Sequence, residues 1–195
     1  MDNIFGRSQE KTLSGQIHNQ TLRLILEALF LMGLGALAVL MHARFRSPIS
    51  VPGHHGIEFM ALLLLGRVSS TLKFASTLSS FGVGSLLLFP VFGFNDPLMG
   101  FNYMLPGFML DFAFNYSGKL NRKALFLAMV AGLSYMLIPV SRLIITTFTG
   151  YQYGAFLKFG PIIPVLSHFV FGVTGGLLGT GLSRIFTKLF SKFLR

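Results

Sequence analysis

The sequence predicts an all-α integral membrane protein, a bundle of six transmembrane helices with both termini in the cytoplasm. Three observations carry that prediction. Hydrophobic residues make up 52% of the 195 and charged residues only 11%, less than half the roughly 25% of an ordinary soluble domain. The apolar residues fall into six runs, most near the ~20 residues that a membrane span requires. The basic residues cluster between those runs, predominantly on alternate connections. One membrane domain over 1–195 is expected, with a polar cytoplasmic segment over 1–20 and the bundle over 21–190.

The first run, about Leu22 to Met41, is the clearest. The second, Ile57 to Val68, is short and is expected to tilt or to draw on the preceding loop. The third covers about Phe74 to Phe92, separated from the second only by "RVSSTLK". The fourth runs from Pro97 to Tyr116, the fifth from Ala124 to Thr147, and the sixth from Phe159 to Phe186. One set of connections carries Arg7, Lys11, Arg23, Arg67, Lys73, Lys119, Arg122, Lys123, Arg184, Lys188, Lys192 and Arg195, twelve in all. The other set carries three, Arg44, Arg46 and Lys158. The positive-inside rule assigns the first set to the cytoplasm, in a plasma or inner membrane.

Several classes fall away. Cysteine is absent, so no disulfide, thiol nucleophile or cysteine-ligated metal enters. The net charge of +10 does not indicate nucleic acid, because it resides in the turns between apolar runs. Met1 to Asn19 is polar and lacks the apolar stretch and cleavage site of a signal peptide, so none is expected. No nucleotide-binding glycine loop, Ser-His-Asp order or paired-carboxylate pattern stands out. The 22 Phe and 22 Gly fit lipid-facing surfaces and close helix contacts.

Ionisable groups inside the runs are the functional candidates, since a charge in hydrocarbon costs several kcal/mol unless paired or hydrated. Arg142 lies about 18 residues beyond Ala124, hence roughly 27 Å along the fifth helix. There it either snorkels to the outer headgroups or turns inward and grips a ligand carboxylate or polar ring edge. Pro139, three residues earlier, frees backbone carbonyls nearby. Asn102 and Tyr103, which follow the turn Asn95-Asp96-Pro97, share its depth and are expected to converge on it. Asp111, deeper in the fourth run, reads as a structural hydrogen-bonding or ion-pairing group. Glu58 is placed to neutralise an arginine or to cap the second helix, and His168 reads as a packing residue.

His54 and His55 fall in the outer loop beside Pro48 and Pro52. Neighbouring residues on a regular element point apart, so a metal site is not expected from the pair. They read as polar tips of a loop closing over a ligand, or as plain surface. Small residues recur at four-residue spacing in Gly172/Gly176, Gly175/Gly179 and Ala128/Gly132, which lets helix backbones approach. Ala28, Gly35 and Ala38 form a further stripe on the first run, a candidate face for a partner.

Two stretches, "PISVPGHHGIEFMALLLLGR" and "DPLMGFNYMLPGFMLDF", together with six runs and a proline-rich first outer loop, carry a likeness. The chain resembles the substrate-binding (S) components of energy-coupling factor transporters, most nearly the biotin-type ones. That resemblance implies a vitamin or micronutrient binder that performs no chemistry and holds no cofactor or metal. The ligand would enter from outside under the first loop, against Arg142, Asn102, Tyr103, Asp96, His54, His55 and Glu58. The partners implied are a transmembrane coupling protein and two ATPase subunits that use ATP. The family docks its first helix through small residues four apart; here Ala28 is followed by Met32, so the motif is interrupted. Two other classes share this topology, a structural or assembly subunit of the cell-shape type and a small enzyme of lipid metabolism.

Overall fold

The computed structural model describes the backbone of residues 4–44, 50–89, 96 and 98–193, and the side chains of 19–44, 50–89, 96, 98–121 and 123–186. Ser47, Pro48, Asn95, Pro97 and the end of the third run at Phe92 lie outside these residues. Among the described residues all regular structure is helical. The helices are α1 (Ile4–Arg44), α2 (Gly56–Ser69), α3 (Ala75–Leu87), α4 (Met99–Tyr116), α5 (Ala124–Thr149), α6 (Gly154–Phe159) and α7 (Ile162–Phe193), with a 3-10 turn at Gly118–Arg122. Three stretches are long and apolar enough to cross a membrane: Asn19–Arg44, Ala124–Thr149 and Ile162–Phe186.

The chain divides into two compact units, Met1–Phe30 and Leu31–Arg195. The first is helical from Ile4 and ends in an apolar stretch whose Leu26, Leu29 and Phe30 are exposed. The second holds the core. Its centre is α2, whose Met60, Leu63 and Leu64 are fully buried, as befits a helix that is apolar on every side. Around it α5 packs on α7, α7 on α2, and α3 on α4. Side chains at Gly172 or Gly176 would strike α5, and side chains at Gly175 or Gly179 would strike the α2 backbone. The four-residue spacing in the last run thus serves contact within the chain, where close packing supplies the attraction that the hydrophobic effect does not supply between helices in lipid.

Two residues of the stripe on the first run, Gly35 and Ala38, are used in the same way. A Cβ at Gly35 would collide with the Ser79 carbonyl of α3, and Ala38 is 4% exposed in the core. Both are covered by the chain's own helices, because the backbone approach that small residues permit is already taken by α3. Ala28 belongs to the amino-terminal unit, where it is half-buried.

The sixth run needs correcting at its start. Phe159 ends the short α6, Gly160 takes a φ of 68°, and α7 begins only at Ile162. Glycine pays no Cβ penalty at that positive φ with extended ψ and so lets the chain leave the helix; Pro161 then suits a helix entry.

The short "RVSSTLK" connection is fixed by Arg67 and Asp111. The Arg67 guanidinium donates to Asp111 Oδ1 at 2.9 Å and to the Lys73 carbonyl at 2.9 Å, and lies 4.5 Å from the Phe114 ring centre. Asp111 also accepts the amides of Ser76 at 3.0 Å and Thr77 at 2.7 Å. Those N–H groups belong to the first turn of α3, where no intrahelical acceptor exists. Phe74 supplies no side-chain cap, so a carboxylate from α4 performs that role with the favourable sign for a helix start. The structural reading of Asp111 holds.

Candidate binding cavity

At the other end of α2 the segment Ser50–His55 turns back over α5 and α7. Gly56 N–H donates to the Gly53 carbonyl at 2.8 Å, which tightens the turn. Gly53 has a φ of 85°, and a Cβ there would meet the His168 imidazole on α7. Glycine therefore serves twice, for the left-handed backbone and for the flat approach to a ring. Ser167 Oγ donates to the Pro52 carbonyl at 2.7 Å and pins the turn to α7.

Beneath this turn lies a cavity of about 280 Å³, close to the lower end of the roughly 300–1,000 Å³ typical of small-molecule sites. Arg142, Tyr103, His54 and His55 line it, as do four residues that sequence reasoning left out: His42, Tyr135, Tyr153 and Phe156. His168, read as a packing residue, lines it as well. It does pack, with its ring stacked on Tyr135 at 4.7 Å between centroids and Nδ1 hydrogen-bonded to the Pro164 carbonyl at 2.7 Å.

Arg142 turns inward rather than up to the headgroups. Its Nη2 donates to Asp96 Oδ2 at 3.0 Å, and its guanidinium lies 5.1 Å from the Tyr153 ring centre. Asp96 is held in turn by the Leu98 amide at 3.0 Å. Asn102 lies behind the wall, where its Oδ1 accepts the Ser141 hydroxyl at 3.0 Å, one residue before Arg142. Tyr103, Asn102, Asp96 and Arg142 thus do come together; Asp96 and Asn102 hold the lining rather than face the cavity.

The histidines behave differently from expectation. His54 and His55 do not point apart, because the helix begins only at Gly56 and the turn before it brings their ring centroids to 4.0 Å. The ring of His42, from the end of α1, lies 3.6 Å from that of His55 between centroids. Glu58 pairs with His55 Nδ1 at 2.6 Å and not with an arginine, since its place one turn into α2 faces back to that ring. His54 Nδ1 meets the Val51 carbonyl at 2.8 Å.

Two lining residues carry a buried polar atom with no hydrogen-bond partner, His54 Nε2 and Arg142 Nε, while the Tyr135 hydroxyl faces that of Tyr103 and the Tyr153 hydroxyl faces Asn102. Such atoms are uncommon in folded proteins, where buried polar groups are nearly always satisfied. Tyr153, in the connection between α5 and α6, has its phenol held above the ordinary value by burial and then by the Asp96 carboxylate, so it stays protonated at neutral pH.

No protein-family model, curated protein or solved structure matches the chain.

Proposed function

We propose that the chain is the membrane-embedded substrate-binding subunit of an energy-coupling-factor-type uptake transporter for a vitamin or other micronutrient. In this reading it spans the plasma or inner membrane six times with both termini in the cytoplasm. The ligand binds from outside, under the Ser50–His55 turn. Energy and translocation come from a coupling protein and two ATPase subunits that consume ATP, so this chain catalyses nothing. The single observation that carries the reading is the roofed cavity, on the side where the sequence has three basic residues against twelve. An assembly subunit of similar shape needs a solid bundle and has no use for such a void. The short α2 and α3, of 14 and 13 residues, fall below the ~20 of a straight span; they are shielded by neighbouring helices instead of by lipid.

Two measurements test it. Native mass spectrometry of gently purified protein is expected to show a small molecule bound in one-to-one ratio. Because the chain has no cysteine, Lys119→Cys and Gln152→Cys each introduce a lone thiol. They are expected to react with an impermeant reagent from opposite faces, Gln152→Cys from outside. Reaction of both from one face removes the topology, and an empty protein removes the binding role.

A further inference from the structure

We propose that the cavity takes a neutral, planar nitrogen heterocycle of one or two rings, bearing both N–H donors and carbonyl or ring-nitrogen acceptors. This rests on the binding-subunit reading above and gives its ligand a chemical class. Charge is the first argument. Arg142 is the one obligate cation among the described lining residues, and Asp96 already neutralises it at 3.0 Å. A ligand carboxylate could reach the remaining N–H groups of Arg142, but with Asp96 in place it would bring a second negative charge that no obligate cation offsets into a part-buried site, which is unfavourable.

Shape is the second argument. The Tyr135 and His168 rings lie nearly parallel, at 29°, and Gly53 and Gly56 let the backbone lie flat against the two rings. Tyr103, Tyr153 and Phe156 add further ring surface. Aromatic walls reward a flat partner by stacking and edge contacts, and the volume of about 280 Å³ limits its size.

Hydrogen-bond polarity is the third. A carbonyl only accepts, so His54 and His168 must carry their protons on Nδ1, against the Val51 and Pro164 carbonyls. In the neutral ring Nε2 is then an acceptor, and that of His54 is buried and unmatched. The unmatched Arg142 Nε supplies a donor, as do the Tyr135 and Tyr153 hydroxyls when they turn from Tyr103 and Asn102 to the ligand. A ligand meeting both sets needs N–H groups as well as carbonyl or ring-nitrogen atoms.

The test is equilibrium dialysis of the full chain in lipid nanodiscs, stripped of bound molecules, against cytosine, hypoxanthine, benzoate and indole. Cytosine or hypoxanthine is expected to bind at least about ten-fold more tightly than benzoate, which is charged, or indole, which lacks acceptors; that is the scale of one buried hydrogen bond. Tyr135→Phe, which removes one hydroxyl and keeps the ring, is expected to weaken that binding by about ten-fold. Tyr153→Phe, nearer the rim, serves the same purpose if the first variant does not fold. Equal or tighter binding of benzoate or indole, or affinity unmoved in the phenylalanine variants, overturns the class. A copurifying carboxylic acid, metal ion or acyl lipid overturns it too, while leaving the binding subunit standing. An empty protein that binds none of the four ends both readings.

Discussion

Two arginine–aspartate pairs join helices in this molecule, and they are not equivalent. Arg67–Asp111 ties α2 to α4 at 2.9 Å with both side chains 3% exposed. Arg142–Asp96 ties α5 to the approach of α4 at 3.0 Å with side chains 19% and 16% exposed. Asp111 accepts a guanidinium and two helix-start amides, so its lone pairs are spent on the fold. Asp96 accepts one guanidinium contact and one amide, and its arginine lines a void. The same chemistry is sealed inside the fold at one end and borders a cavity at the other.

The largest expected effect is at the sealed pair. Asp111→Ala leaves Arg67 buried without its counter-charge and uncaps α3, and is expected to cost about 3–5 kcal/mol of stability. Thermal unfolding in detergent or nanodiscs measures it. A melting point equal to the parent's removes the distinction between the two ends. Arg142→Ala is expected to cost less stability than Asp111→Ala, because water can reach the more exposed Asp96, but to weaken the copurified ligand by about 2 kcal/mol or more, as for a charge-assisted hydrogen bond. Loss of folding with retained affinity reverses the assignment.

A smaller change follows at the roof. Replacing His54 and His55 together by alanine takes two rings from the turn without touching the Ser167–Pro52 bond. Ligand release is expected to quicken about five-fold or less, equivalent to at most about 1 kcal/mol, with unfolding unchanged. A chelator is expected to have no effect. Release that accelerates with chelator, and no further in the double variant, marks the pair as metal ligands. The smallest effect is alkaline. Tyr153 has its folded pKa raised, so its contribution to stability is intact below the unfolded value near ~10 and is lost as pH rises above it. Tyr153→Phe is expected to flatten that part of the stability–pH curve, and an unaltered slope shows that the phenol is not burdened by its surroundings.

How much of this was legible in the chain depends on the range of the interaction. The helices were, because each apolar run coincides with a helix over most of its described length, and periodicity and length are local properties. Asp111 was legible as structural, since a lone carboxylate deep in an apolar run needs a partner, although Arg67 was counted as a surface charge. The convergence of Tyr103 and Arg142 followed from matching depth along two helices. The histidine cluster was not legible. His42 reaches His55 only through the tertiary path between α1 and α2, and adjacent His54 and His55 approach only because they precede the helix. Tyr135 and His168 sit in runs whose polar groups look like packing, and their stack is visible only once α5 lies on α7. Gly160 carried a signal at Gly-Pro that the apolar run concealed; turn chemistry was the clue available.

The void under the turn has a mechanical consequence. Unfolding a protein with internal empty space lowers the system volume, and pressure favours that change in proportion to the space removed. A partly open cavity of about 280 Å³ lies at one end of this bundle, and only the share of it that water does not fill counts toward that change, whereas the Arg67–Asp111 end is closed around its ion pair. Compression is therefore expected to loosen the turn, α5 and α7 before it reaches the junction of α2, α3 and α4. A molecule that filled the cavity would remove that difference and act as a strut between the turn, α5 and α7.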